Sequence, residues 1–173
     1  MRKFLIVAVV ALGLVACNKD KTTTVTTSEG EEIKITADGA NTAEDGTIPF
    51  EGKDGEGKIS FGDAAVKQGL PLDLPVYPGG EVKGAFMGDG GDGTAGGMAT
   101  VLTNAPPAKV IDFYKAEAEK RGFKIQSQST VSNETGNTAN FTAKAADDRS
   151  LVVTATPSDG GGTAAVIMGG GKK

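Results

Sequence analysis

Glycine constrains this chain more than any other residue type. Twenty-six of its 173 residues are glycine, none is tryptophan, and aromatics make up 5%. Glycine loses more conformational freedom on folding than any other residue, so it weakens helix interiors and suits turns. A chain so built is expected to be β-rich, with many tight turns and a small core. The placement of the glycines agrees. Ile33 and Ile35, Ile48 and Phe50, and Ile59 and Phe61 each alternate with polar neighbours. Asp38-Gly39, Asp45-Gly46 and Asp54-Gly55 separate the pairs, and Asp-Gly accepts the positive φ of hairpin turns. Residues 29–68 therefore read as a short, Gly/Asp-rich β-meander.

A second region follows over residues 69–168. Pro71, Pro75 and Pro78 keep its lead-in extended, because proline removes a donor and biases its predecessor away from helix. Residues 82–87 and 98–103 then suggest a hairpin around a glycine-rich loop, 88–97. Asn104-Ala105-Pro106-Pro107 opens a helix in which Val110, Ile111, Phe113, Tyr114 and Ala118 form an apolar stripe. Gly122 closes it, after Lys120 and Arg121 in the last turn. Strands are expected from Phe123 onward and at 139–145, 151–156 and 163–168, with a frayed tail at 169–173. The expected fold class is α+β: a small antiparallel sheet with one helix packed on a face (β-β-α-β-β-β), preceded by a flexible tether and the short β-meander. Its expected core is Phe86, Phe113, Phe123, Ile125 and Phe141.

The N-terminus carries a different signal. Arg2 and Lys3 precede an uninterrupted apolar run over residues 4–16, which ends at Cys17, the only cysteine. A helix of that run would be roughly 20 Å long, short of a hydrocarbon core of about 30 Å. Residues 1–16 therefore read as a signal peptide, and residues 17–28, polar except for Val25, as a flexible tether. Leu14-Val15-Ala16-Cys17 resembles the lipobox of bacterial lipoproteins. That resemblance implies cleavage between Ala16 and Cys17, lipidation of Cys17, and attachment to the membrane through its acyl chains, palmitate among them. It places the protein in the bacterial cell envelope. Asn18, where aspartate would favour inner-membrane retention, favours the outer membrane, facing the periplasm.

The remainder resembles a set of small, uncharacterised bacterial lipoproteins. The similarity runs over roughly residues 55–168. It rests on Lys58-Ile59-Ser60-Phe61-Gly62, on the Leu-Pro-x-Tyr-Pro-Gly lead-in at Leu74-Pro75-Val76-Tyr77-Pro78-Gly79, on the Phe-Tyr-Lys helix at Phe113-Tyr114-Lys115, and on Gly122-Phe123-Lys124. These are turn and core residues, so the resemblance implies a fold and no catalytic residue.

Chemistry is sparse. There is no histidine, which removes the commonest general base and metal ligand. Without residues 1–16 the chain has 16 basic and 22 acidic side chains, a net charge of −6. Such a balance, with no long basic run, argues against nucleic-acid binding. No cofactor motif is present. Asp89 and Asp92, in a glycine-rich stretch, are the candidate oxygen ligands for calcium, but the alternating ligands and distal glutamate of an EF-hand are missing. The expectation is a non-catalytic interaction or accessory module with an envelope protein partner, recruited at a free sheet edge. The alternative is a small-ligand or calcium-binding lipoprotein.

Overall fold

The computed structural model describes residues 20–26, 32–38, 46–52, 55–90, 93–133, 136–158 and 161–172. Ten strands form one antiparallel sheet. In chain order they are β1 (Asp20–Thr26), β2 (Glu32–Asp38), β3 (Gly46–Gly52), β4 (Gly55–Phe61), β5 (Glu81–Gly90), β6 (Thr94–Thr103), β7 (Lys124–Asn133), β8 (Gly136–Lys144), β9 (Ser150–Pro157) and β10 (Thr163–Lys172). Two helices, α1 (Gly62–Gln68) and α2 (Pro107–Lys120), and a 3-10 turn at Pro71–Asp73 lie between them. The spatial order is β1-β2-β3-β4-β5-β6-β10-β9-β8-β7. Each half zips up hairpin by hairpin, and the halves meet where β10 pairs with β6, from Thr163↔Thr103 to Lys172↔Thr94.

This corrects the expected small β-β-α-β-β-β sheet with one helix, and Asp20–Thr26, inside the expected flexible tether 17–28, is strand β1, paired with β2 from Asp20↔Asp38 to Thr26↔Glu32. The meander does not precede the sheet but belongs to it, because β4 pairs with β5 in unbroken register from Gly55↔Gly90 to Phe61↔Gly84. Most of the expected loop at 88–97 is strand as well. β5 runs to Gly90 and β6 starts at Thr94, with a turn closed by Gly93 N–H donating to the Gly90 carbonyl at 3.2 Å. Of the strand glycines there, Gly97 has no room for a side chain: a Cβ would come within 2.5 Å of the Phe86 carbonyl oxygen. The second helix, α1, is only seven residues long with Ala65 its single buried residue, too little periodicity to register in the sequence. β10 continues through the stretch expected to fray, held by β6 on one side and β9 on the other.

Side chains alternate across the sheet, and both helices lie on one face. α2 packs on β7, β8, β9 and β10; α1 packs on β3, β4 and β5; the Pro71–Asp73 turn packs on β6 and β10. One cross-strand row, Ala85, Ala99, Ile167, Val153 and Phe141, forms the floor of the core. Val110, Ile111, Tyr114 and Ala118 cover it from α2 and are fully buried, so the expected helical stripe is the observed one. Phe123 and Phe141 are core, Phe113 and Ile125 pack at its margin, and Phe86 lies on the opposite face, stacked on Phe50. α2 ends in a Schellman motif: Gly122, at φ 80°, lets Phe123 N–H reach the Ala118 carbonyl and its own N–H reach that of Glu119.

Candidate functional site

The helical layer does not cover the whole face. Beyond it the next rows of side chains on the same face stay open. They are Pro49, Lys58, Met87, Gly97 and Gly169, then Glu51, Glu56, Asp89, Ala95 and Gly171. Together with α1 and the 3-10 turn these residues line a groove of about 1050 Å³. Its depth comes from missing side chains. Gly97, Gly169 and Gly171, with Ala95, floor its β6 and β10 portion, where larger residues would stand up from the sheet.

Two features fix the groove's wall. First, Ser60, 1% exposed, donates to Gln68 Oε1 and lies 3.0 Å from Thr47 Oγ1, which ties α1 to β3 and β4. Second, Leu72 and Asp73 both adopt left-handed backbone, at φ 60° and 53°. This is unfavourable for a leucine and persists only where the surroundings enforce it. Pro71 is buried, and Leu72 sits so close over Gly169 that a Cβ there would meet its Cδ1 at 2.5 Å. Arg121 Nη2 donates to the Asp73 carbonyl at 3.2 Å, joining the turn to the end of α2. Further along, Tyr77 N–H donates to Tyr114 Oη at 3.3 Å, and the Tyr77 ring meets Phe113 edge-on with centroids 5.1 Å apart. Burial pushes the Tyr114 hydroxyl up to about 12, and the bond from Tyr77 offsets only part of that. The lead-in and the helix singled out in the sequence therefore meet in space and brace the groove from behind.

Charge at the rim is segregated. Glu51, Glu56 and Asp89 stand at the β3–β5 end with Lys58 and Lys67, while Arg149 stands at the β9–β10 end. Arg149 lies with its guanidinium carbon 5.0 Å from the Phe123 ring centroid, and its Nε donates to Asp147 Oδ2 at 2.8 Å. That bond holds the Asp147 carboxyl below its usual range. Two polar ends joined by an uncharged floor suit an elongated organic molecule better than a bare ion.

Of the residues singled out by sequence, Asp89 lies exposed at the groove's rim on β5. Asp92, Ala16 and Cys17 lie outside the described residues. Among the described residues no group of three or more His, Cys, Asp or Glu side chains is placed to hold a metal. The groove has no local signature in the sequence, because its floor glycines read as loop at Gly97 and as frayed tail at Gly169 and Gly171.

A START domain-like family model matches residues 84–162. That span covers β6, α2, β7, β8 and β9 with most of β5, and is somewhat under half of the chain. No curated protein matches the sequence, and no solved structure does.

Proposed function

We propose that this chain is a small-ligand-binding module of the bacterial cell envelope, non-catalytic, and anchored through acyl chains on Cys17. The observation that carries the reading is the groove on the helix-bearing face, floored by Gly97, Gly169, Gly171 and Ala95. Its volume of about 1050 Å³ is at the upper end of small-molecule sites, commonly about 300–1,000 Å³. The START domain-like match over 84–162 is compatible with it and includes Met87, Asp89, Ala95, Gly97 and Arg149 of the lining. The anchor rests on the lipobox resemblance at Leu14-Val15-Ala16-Cys17.

The test is displacement of a naphthalene-sulfonate dye by a panel of small amphiphiles, read alongside thermal melting. Ala95→Phe is expected to fill the groove and weaken displacement at least about tenfold (about 1.4 kcal/mol) with the melting temperature kept. Undiminished binding to that variant sinks the groove as the site. Millimolar calcium belongs in the same panel: a rise in melting temperature that Asp92→Ala removes would make the ligand a cation instead. For the anchor, Cys17→Ser should release the protein from the membrane fraction; unchanged fractionation and mass would exclude lipidation.

A second reading, an accessory module with an envelope protein partner, draws on β7. This edge strand is exposed from Gln126 to Ser132 and carries neither charge nor proline over that stretch, the devices that usually block strand addition. Cross-linked pull-down from native envelopes separates it from ligand binding. One stoichiometric partner lost on Thr130→Pro would favour it, and recovery of the protein alone would remove it.

A further inference from the structure

The face of the sheet opposite the helices is organised as well, and α1, α2 and the 3-10 turn all lie away from it. One cross-strand row on it is uniformly large and apolar: Ile48, Ile59, Phe86, Met98, Met168 and Val152, paired in that order across six strands. Met98 is 42% and Met168 41% exposed. The adjoining row is Gly57, Gly88, Gly96 and Gly170, again paired in order. At its β4 end the Phe50 ring lies over Gly57 and stacks on Phe86, centroids 5.4 Å apart. At its β6–β10 end no side chain comes within 4 Å of where a Cβ of Gly96 would stand, the near atoms there being backbone. A ridge thus runs beside a trough. Apart from the strand ends at Glu81, Lys83 and Lys172, no position on this face of β4, β5, β6, β10 or β9 is charged. An antiparallel sheet with helices on one side normally turns a polar surface to water on the other, and an apolar patch of this size marks an interaction site.

We infer that this face is the interface of a homodimer, a second copy of the chain being its occupant. Three observations favour a second copy over any other partner. Ridge and trough run parallel and adjacent, so a twofold axis lying between the two faces and parallel to both features sets the ridge of each copy into the trough of the other, as an isologous interface requires. Away from the strand ends neither copy brings a charge to be stranded on burial, so the ridge and trough meet without an unpaired ion between them. Six strands by four residue rows make a face of about 25 Å by 25 Å, roughly 600–800 Å², close to the roughly 800 Å² per partner of a stable interface. Two such sheets would pack about 10 Å apart, as in a β-sandwich. The groove, on the other face, stays open in both copies.

The test measures the mass of the full chain in non-ionic detergent by light scattering, corrected for bound detergent, across a concentration series. The expected result is twice the chain mass. Met98→Lys with Met168→Lys should raise the dissociation constant at least about tenfold (about 1.4 kcal/mol). Gly96→Val fills the trough at a position where a Cβ makes only ordinary contact, its nearest atom the Gly169 carbonyl oxygen at 3.4 Å, and the dimer should weaken likewise. Val131→Lys, on edge strand β7 and 57% exposed, should leave the mass unchanged. Circular dichroism and melting of each variant show that it is folded. A monomeric wild type at tens of micromolar overturns the inference, as does a dimer that survives both folded ridge and trough variants. A monomer whose binding to neutral phosphatidylcholine vesicles falls in the Met98→Lys, Met168→Lys variant would assign the face to a lipid surface and overturn it too.

Discussion

A single row of the sheet passes through two different environments. On the helix-bearing face Lys58, Met87, Gly97 and Gly169 lie in the groove, and the same row continues into Leu151 and Ala143, which are buried. Backbone pairing does not distinguish these halves, since both are regular antiparallel ladder. What differs is the cover. α2 is 14 residues long and lays four buried side chains on its half, whereas α1 and the 3-10 turn cover only part of theirs. The core half is thus held by packing, and the groove half by ladder hydrogen bonds and a few specific ties. Ligand-sized space arises where a short helix fails to reach the end of a long strand.

The contrast can be broken most sharply by truncation. Phe141→Ala, on the covered half, should cost about 3–5 kcal/mol, whereas Met87→Ala, half-buried in the groove, should cost less than about 1 kcal/mol. Urea unfolding decides this, and equal costs would mean that the groove half is packed as a core. Next in size is Gly169→Val, whose side chain would displace Leu72 from its seat 2.5 Å away. It should cost about 1–3 kcal/mol by overpacking and change ligand affinity, whereas a loss of stability alone would detach Leu72 from the site.

Tyr114→Phe removes the acceptor for Tyr77 N–H and should cost about 0.5–1.5 kcal/mol at neutral pH. It has a second signature. The Tyr114 hydroxyl titrates at about 12 in the folded chain against 10.0 when exposed. The folded state therefore holds its proton more tightly, and stability is complete below pH 10 and declines as pH rises from there toward 12. That alkaline decline should shrink in Tyr114→Phe, and an unchanged profile would place its cause elsewhere. The smallest effect belongs to Glu117, whose carboxyl is held below its usual value by Lys120 and then Arg121. Its contribution is present above pH 4.5 and is lost as pH falls through the lowered value. Glu117→Gln should flatten that acid limb slightly without affecting ligand binding.

The elements legible in the sequence were those with a strong period or a decisive terminator. The α2 stripe, Gly122 as its cap and the pieces at 139–145, 151–156 and 163–168 could all be read, because burial on one face leaves an alternating or helical pattern. β2, β3 and β4 could be read as strands but not as part of the main sheet, since cross-strand register between distant segments leaves no local trace. The glycines at 88, 96 and 97 misled for a physical reason. Local propensity assigns them to a loop, whereas pairing with two flanking strands outweighs it. The groove was hidden for the same reason, being made by residues that lack side chains.

The strand order also bears on how the chain is made. β10 comes last of the ten strands in sequence, yet it is inserted between β6 and β9 in the middle of the sheet. On a translating ribosome β1–β6 can fold back hairpin by hairpin, and β7–β9 can do the same. Until β10 emerges, each half-sheet presents a bare inner edge, the kind of template that captures foreign strands. The closing contact, Thr163 against Thr103, spans α2 and three strands, so its loop-closure cost falls late and should set the pace of maturation. The last strand is thus a keystone: a nascent chain halted before residue 163 would hold two half-sheets with no means of joining them.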